Sequence, residues 1–363
     1  MIEFDSHLNI IPKKTTRVVD GKSFTFDDYR TALTHSAAIG DIDGCRWLIE
    51  HGADVDETDE LGCTALLCAA ENGHAGVCGW LVEHGADINK KTGPHGTVFG
   101  CAVFNGDLEL CKLLREHGAK TGGTRGIIKE SSPVLTLAVD SENLELCEWL
   151  ARETDADVNA ADDEGWTALM EAARAGNADM CKILIKHGAN VNAPLDDGWT
   201  ALLAAAQSGY YKVCKLLVKN GADLNAKDVK DQTVLMCAAM SGNKALCRWL
   251  IDEKGADVNA KDKDDATVLC YATKSGSIPL CRWLIDEKGL DVNARLKDDF
   301  TVLDIAVESE HLNLCKWLVN EKGAEVNIQD DNLELLFAGY RRIFANIWSI
   351  KKARTSIRKT STA

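Results

Sequence analysis

Proline is scarce, with five residues in 363, so few helices are interrupted, while 29 glycines supply helix-ending turns. Long apolar runs are absent: no stretch of 18 apolar residues occurs, which excludes an ordinary membrane-spanning helix. The opening residues, MIEFDSHLN, are acidic and polar rather than basic then apolar, so no secretory leader is expected. There is no Asn-x-Ser/Thr acceptor either. Positive charge is in deficit. Lys+Arg 41 against Asp+Glu 56 leaves −15, which argues against general nucleic-acid binding. P-loop, GxSxG, HExxH and kinase signatures are missing, so the expectation is no enzyme and no cofactor.

What the chain does have is 14 cysteines and nine tryptophans. Cys45, Cys78, Cys111, Cys147, Cys181, Cys214, Cys247, Cys281 and Cys315 are separated by 33, 33, 36, 34, 33, 33, 34 and 34 residues. A fixed period of this size indicates stacked supersecondary units rather than the two or three domains that length alone suggests. Each copy, such as TALMEAARAGNADMCKILIKHGANVN (167–192), reads as two short helices and a turn. Thr167 caps the first helix, whose apolar face is Leu169, Ala172 and Ala173, and Gly176 ends it. The second helix buries Met180, Cys181, Leu184 and Ile185, and ends at Gly188. A single copy cannot bury its apolar residues alone; stacked copies share one core.

This pattern resembles the ankyrin repeat, a 33-residue unit with a T-P-L-H-x-A signature. The resemblance covers 31–331 and implies an all-α solenoid of about nine helix-turn-helix repeats with short β-turn or hairpin loops. The signature proline is Ala or Val here, as in Thr200-Ala201-Leu202 and Thr233-Val234-Leu235. The signature histidine is replaced at Leu203, Met170 and Met236. The segment 118–133 loses the GADVN motif and reads as an irregular junction. Repeats four and nine carry Glu142 and Glu310 in place of the inter-helix glycine.

The register cysteines read as small buried hydrophobes, because neighbouring helices at 8–10 Å exceed the roughly 7 Å Cα limit for a disulfide. A zinc reading fails on geometry. Cys45/His51, Cys78/His84, Cys111/His117 and Cys181/His187 are six helical residues apart, which separates the side chains by about 120°. No metal site is expected. Trp47, Trp80, Trp149, Trp249, Trp283 and Trp317 each follow a register cysteine by two residues and read as core packing. The basic ladder Arg46, Lys112, Lys182, Lys215, Arg248, Arg282 and Lys316 reads as a solvated outer face, neutralised by Glu50, Glu116, Asp252 and Asp286 four residues on.

Trp166 and Trp199 stand apart, just before the capping threonines of repeats five and six, and Phe300 holds that place in repeat nine. The resemblance implies that these tips are solvent-facing and belong to a concave recognition surface. Two exposed tryptophans flanked by Asp163, Glu164, Asp196 and Asp197 read as a hot spot with an acidic rim. Arg174, Ala175, Gln207 and Ser208 would line the adjoining helix ends.

The ends differ from the array. Residues 1–30 are expected to cover the flank of repeat one. Residues 332–350 predict an amphipathic helix that caps the last repeat, followed by a basic disordered tail at 351–363. Residues 332–363 carry seven Lys/Arg against one Glu, or +6, so the remainder carries −15 − 6 = −21.

The leading expectation is a monomeric, non-enzymatic scaffold or adaptor in the cytoplasm or nucleus. It would bind a protein partner through a basic segment, with no nucleic acid. The alternative is a regulatory or effector protein whose C-terminal helix targets a membrane, a calmodulin-like partner or ubiquitin-ligase machinery. The segment LELLFAGYRRIF lacks the Leu-Cys-Arg expected of ligase adaptors.

Overall fold

The computed structural model describes residues 16–19, 22–25, 31–90, 96–121, 133–297 and 300–325. The tandem helix pairs form two compact units, Met1–Ala172 with Asn177–Ala193, and Ala173–Gly176 with Pro194–Ala363. The expected capping helix at 332–350 and basic tail at 351–363 lie outside the described residues, as does most of the junction at 118–133.

Nine inner helices are present among the described residues, each followed by an outer helix. Those of the first unit are α1 (Ala32–Ala38), α3 (Ala65–Glu71), α5 (Val98–Phe104) and α7 (Val134–Asp140), followed by α9 (Ala168–Ala175), through which the unit boundary runs. Those of the second are α11 (Ala201–Gln207), α13 (Val234–Met240), α15 (Val268–Lys274) and α17 (Val302–Glu308). Thr31, Thr64, Thr97, Thr200, Thr233 and Thr301 cap their helices by accepting a backbone N–H three residues on. Met170 N–H reaches Thr167 Oγ1 in the same way at 3.3 Å.

The inner helices bury more than the stripe that periodicity predicts. All of Ala65–Ala70 and all of Ala201–Ala206 are buried. The reason is that α3 packs against α1, against α5 and against its own outer helix α4 (Ala75–Glu83). A helix enclosed on three sides favours alanine, which lets neighbours approach closely. The outer helices are covered on one side. In α10 (Ala178–Lys186), Met180, Cys181 and Leu184 are buried while Ile185 is half-buried.

Between successive repeats the GADVN turns are linked by a side-chain ladder. Asn159 Oδ1 accepts from Asn190 N–H at 2.7 Å, and its Nδ2 donates to Gly188 O at 3.2 Å. Asn89 makes the same two bonds to Lys120 N–H and Gly118 O. Asn293 does so with Glu325 N–H and Gly323 O. The motif is therefore a backbone clamp between turns.

The uneven spacing has a structural cause in the second unit. Repeats seven to nine read WLIDEKG or WLVNEKG where repeat two reads WLVEHG, one residue longer. In repeats seven and nine the extra residue is absorbed by π-helical turns, Trp249–Glu253 and Leu318–Lys322. A π-turn accommodates an insertion without breaking the helix.

Sequence reading leaves residues 1–30 without an element, but β1 (Thr16–Val19) and β2 (Lys22–Thr25) pair antiparallel, with Val19 opposite Lys22. The two residues between them in sequence are Asp20-Gly21, a strong signal for a two-residue hairpin. A helical period gives no weight to that signal.

Candidate functional site

The repeat tips are built around one aspartate. Asp59, Asp162, Asp228 and Asp262 stand five residues before the capping threonine of repeats two, five, seven and eight. Asp162 Oδ1 accepts Glu164 N–H at 3.0 Å and Trp166 N–H at 2.8 Å, while Asp162 N–H donates to Trp166 O at 3.0 Å. Asp228 and Asp262 close their tips identically on Gln232 and Ala266. Isolated antiparallel bridges Thr58–Thr64, Ala161–Thr167, Lys227–Thr233 and Arg295–Thr301 complete the turns. This carboxylate orders the tip in repeats whose signature histidine is missing.

Repeats six and nine have Leu195 and Leu296 at that place. Their tips keep the backbone bond, Leu195 N–H to Trp199 O at 2.7 Å and Leu296 N–H to Phe300 O at 2.8 Å. Asp197 supplies the missing acceptor, taking Trp199 N–H at 3.1 Å. Gly198 is confined there: its φ is +82°, and a Cβ would stand 2.8 Å from Lys227 O.

The expected site residues divide between the units. Asp163, Glu164 and Trp166 share one tip of the first unit; Asp196, Asp197 and Trp199 share one tip of the second. All four acidic side chains are exposed. The tryptophans are not. Trp166, Trp199 and Phe300 are half-buried, and the backbone C=O of each accepts the bond that closes its tip. This corrects the expectation of two exposed indoles. Arg174, Ala175, Gln207 and Ser208 are exposed at the C-terminal ends of α9 and α11. Gln207 lies about 9 Å along the helix axis from Ala201, so it and Trp199 occupy opposite ends of α11.

Sequence reading missed Val229. It is 52% exposed on the seventh tip, and its N–H donates to Asp197 O at 2.7 Å. The bond sets an exposed apolar side chain against the Asp196-Asp197-Trp199 turn. Further bonds of this kind, Lys263 N–H to Lys230 O and Lys297 N–H to Asp264 O, join later tips of the same unit.

All fourteen cysteines are buried, and none is in a disulfide. Burial pushes the thiols of Cys45, Cys78, Cys181, Cys214 and Cys247 up to about 12, far from the ionised form that reacts. His51, His84 and His117 donate from Nδ1 to the carbonyls of Trp47, Trp80 and Leu113 at 2.7, 2.7 and 2.9 Å. They cap helix ends.

The six register tryptophans split into two kinds. Trp249, Trp283 and Trp317 are buried, at 4%, 1% and 5% exposure. Trp47, Trp80 and Trp149 are half-buried, which corrects a uniform core assignment. His51 and His84 stack on Trp47 and Trp80 at 4.2 and 3.9 Å. In the longer repeats a lysine takes the histidine's place: Lys254, Lys288 and Lys322 lie 5.5, 5.1 and 5.4 Å from the indole centroids. Of the expected i+4 pairs on the basic ladder, Arg248 with Asp252 is formed, while other members take different acids. Arg46 pairs with Asp43, Lys112 with Glu109, Lys182 with Asp179 and Arg248 with Asp252. Lys186 and His187 both reach Glu148 and hold its carboxyl below the usual carboxylate range. No helix among the described residues is long and apolar enough to cross a membrane.

The family model described as "Ankyrin repeats (3 copies)" matches residues 9–92, 135–228 and 235–330, and one described as "Ankyrin repeats (many copies)" matches 76–115. No curated protein matches the chain. Among solved structures, the human ASB11 ankyrin repeat domain is 26% identical, with a TM-score of 0.51, covering 57% of this chain and 90% of its own. The ankyrin repeat domain of Bcl-3, described as a unique member of the IkappaB protein family, is also 26% identical. It has a TM-score of 0.48 and covers 57% of this chain and 93% of its own. Ankyrin repeats are generally protein-interaction modules, and members of the family are typically non-enzymatic. With family matches spanning most of its length and helix pairs closed by threonine-capped tips, the chain belongs to the ankyrin-repeat family.

Proposed function

We propose that this chain is a non-enzymatic scaffold or adaptor that docks a partner protein on its repeat tips and inner-helix ends. The observation that carries the reading is the sixth tip. There half-buried Trp199 follows exposed Asp196 and Asp197, with the exposed Val229 bonded to Asp197 through its backbone N–H. An aromatic anchor with an apolar neighbour and an acidic border is the composition of an interface core and rim. The partner segment is basic, because the chain outside 332–363 carries −21. The first unit offers a related tip in Trp166 with Asp163 and Glu164. The protein works as a monomer in the cytoplasm or nucleus.

The test is partner capture from cell extract with the intact chain and with Trp199→Ala and Asp196→Lys variants. Loss of captured proteins in both variants, with unchanged circular dichroism, is the expected outcome. An unaltered set of captured proteins in both would remove this tip from the interface. Truncating a central aromatic anchor costs about 2 kcal/mol or more of binding, roughly a thirtyfold loss of affinity.

A further inference from the structure

Asp59, Cys63 and Cys68 bring a carboxylate oxygen and two sulfurs within 4.8 Å of one another at the second tip. All three are buried, at 7%, 3% and 1% exposure. The tip itself produces the convergence. Asp59 Oδ1 accepts Leu61 N–H at 3.0 Å and Cys63 N–H at 2.9 Å, and Asp59 N–H donates to Cys63 O at 3.0 Å. Cys63 is thus clamped to Asp59 through both backbone groups, and the turn bonds of the carboxylate fall on Oδ1.

Cys68 approaches from the first turn of α3, with its N–H on Thr64 O at 2.9 Å. The same register position in repeat eight is Tyr271, whose hydroxyl donates to Asp262 Oδ2 at 2.5 Å. That sister contact establishes that this helix position faces the outer oxygen of the tip aspartate. In repeat two a thiol occupies it. The position before the capping threonine, which is Trp166, Trp199, Gln232, Ala266 or Phe300 in later repeats, is also a cysteine. Repeat seven is an internal comparison: Asp228 and Cys237 are present, but Gln232 stands where the second sulfur would be.

Two sulfurs and one carboxylate oxygen are the donor set of a borderline-soft dication. In a tetrahedral zinc site, with Zn–S about 2.3 Å and Zn–O about 2.0–2.2 Å, ligand atoms stand roughly 3.5–3.8 Å apart. Donors within 4.8 Å reach that spacing by small side-chain rotations. Mg2+ and Ca2+ require six or more oxygens and do not suit the set. We propose that Asp59, Cys63 and Cys68 bind a thiophilic divalent cation of the Zn2+ class, which ties the second tip to α3. Three protein ligands leave the fourth position to water or to a donor from a partner. Coordination displaces two thiol protons to solvent, so affinity falls as pH is lowered.

The probe is Co2+ alone, added to the reduced, chelator-treated full chain. The expected result is sulfur-to-cobalt charge-transfer absorption that saturates at one equivalent and is displaced by Zn2+. Alkylation mapped by mass spectrometry, after opening the fold with mild denaturant, shows Cys63 and Cys68 protected by Zn2+. Cys63→Ser and Cys68→Ser each weaken binding by about 100-fold or more, at or beyond the upper end of what loss of an outer partner of a metal ligand costs. Asp59→Asn retains the Oδ1 acceptor and weakens binding by about tenfold, while Cys237→Ser leaves it unchanged. Circular dichroism checks that each variant is folded. The proposal is overturned by an absent band in the folded chain at excess metal, by a band that survives the Cys63→Ser/Cys68→Ser double change, or by protection at other cysteines. If a variant does not fold, the alkylation map of the unaltered chain decides alone.

Discussion

Glu142 and Glu310 hold left-handed backbone, at φ 55° and 59°, where most other repeats place glycine. A left-handed conformation costs a residue with a Cβ about 1–2 kcal/mol, partly offset by the greater unfolded-state freedom of glycine. Glu310→Gly is therefore expected to stabilise the chain by about 0.5–1 kcal/mol, read as a rise in the urea midpoint. A lower midpoint would show that the glutamate has a compensating contact. Asp231 and Asp265 are left-handed at a different place, on the tips where Gly62, Gly165 and Gly198 stand in other repeats, at φ 62° and 60°. Aspartate tolerates that conformation better than most residues, which is why these tips survive without glycine. The departures from glycine are legible in the sequence. The pairing of Cys63 with Cys68 is not, since five residues that run from a turn into a helix match no simple ligand spacing.

The tryptophans of the outer helices differ in burial even where the helices match in length: the helix carrying Trp283 (Ile278–Asp286) has nine residues, as has the one carrying Trp47 (Ile42–Glu50). Trp283 is enclosed, with Lys288 over its ring and Lys288 also on Asp252 of the preceding repeat. Trp47 is stacked on His51 and half-open to solvent. Leu113 and Leu216 fill the same register position elsewhere, so leucine is compatible with the fold there. Trp283→Leu nevertheless leaves a cavity and is expected to cost about 2–4 kcal/mol, whereas Trp47→Leu costs less than about 1 kcal/mol. Chemical denaturation of the two variants checks this, and equal losses would contradict the distinction. The spacing of the tryptophans is identical in sequence. Their burial depends on which neighbouring side chains cover each ring, which no residue count conveys. The β1–β2 hairpin is the opposite case: the Asp20-Gly21 signal is local, but it lies outside the repeat that organises the rest.

At the scale of the whole molecule, the register thiols make the core sensitive to alkali. Their ordinary value is 9.0, and burial raises most of them to about 12. The unfolded chain therefore loses thiol protons above about pH 9 while the folded chain keeps them, so stability falls from there as pH rises towards the folded values. The expected observation is a thermal midpoint that declines progressively above pH 9, with the thiols unreactive to a disulfide reagent until the transition. A midpoint insensitive to pH between 9 and 11 would refute it. Negative charge contributes to the same decline, and added salt separates the two effects, because salt screens surface repulsion but not buried thiols.

The period of the cysteines, the threonine caps and the glycine stops were sufficient by themselves to determine a stack of two-helix repeats. Each is a local requirement, repeated too often to be satisfied by another fold. The charge split, the missing catalytic signatures and the buried character of the register cysteines were legible for the same reason. Only the tertiary structure decided which side chains the stack leaves accessible. It turned Trp166 and Trp199 half inward, exposed Val229 beside Asp197, and gathered Asp59, Cys63 and Cys68 at one tip. Periodicity determines which residues share a face. Exposure and convergence depend on backbone bonds that close a turn and on neighbours packed from the next repeat, and those are properties of the assembled chain.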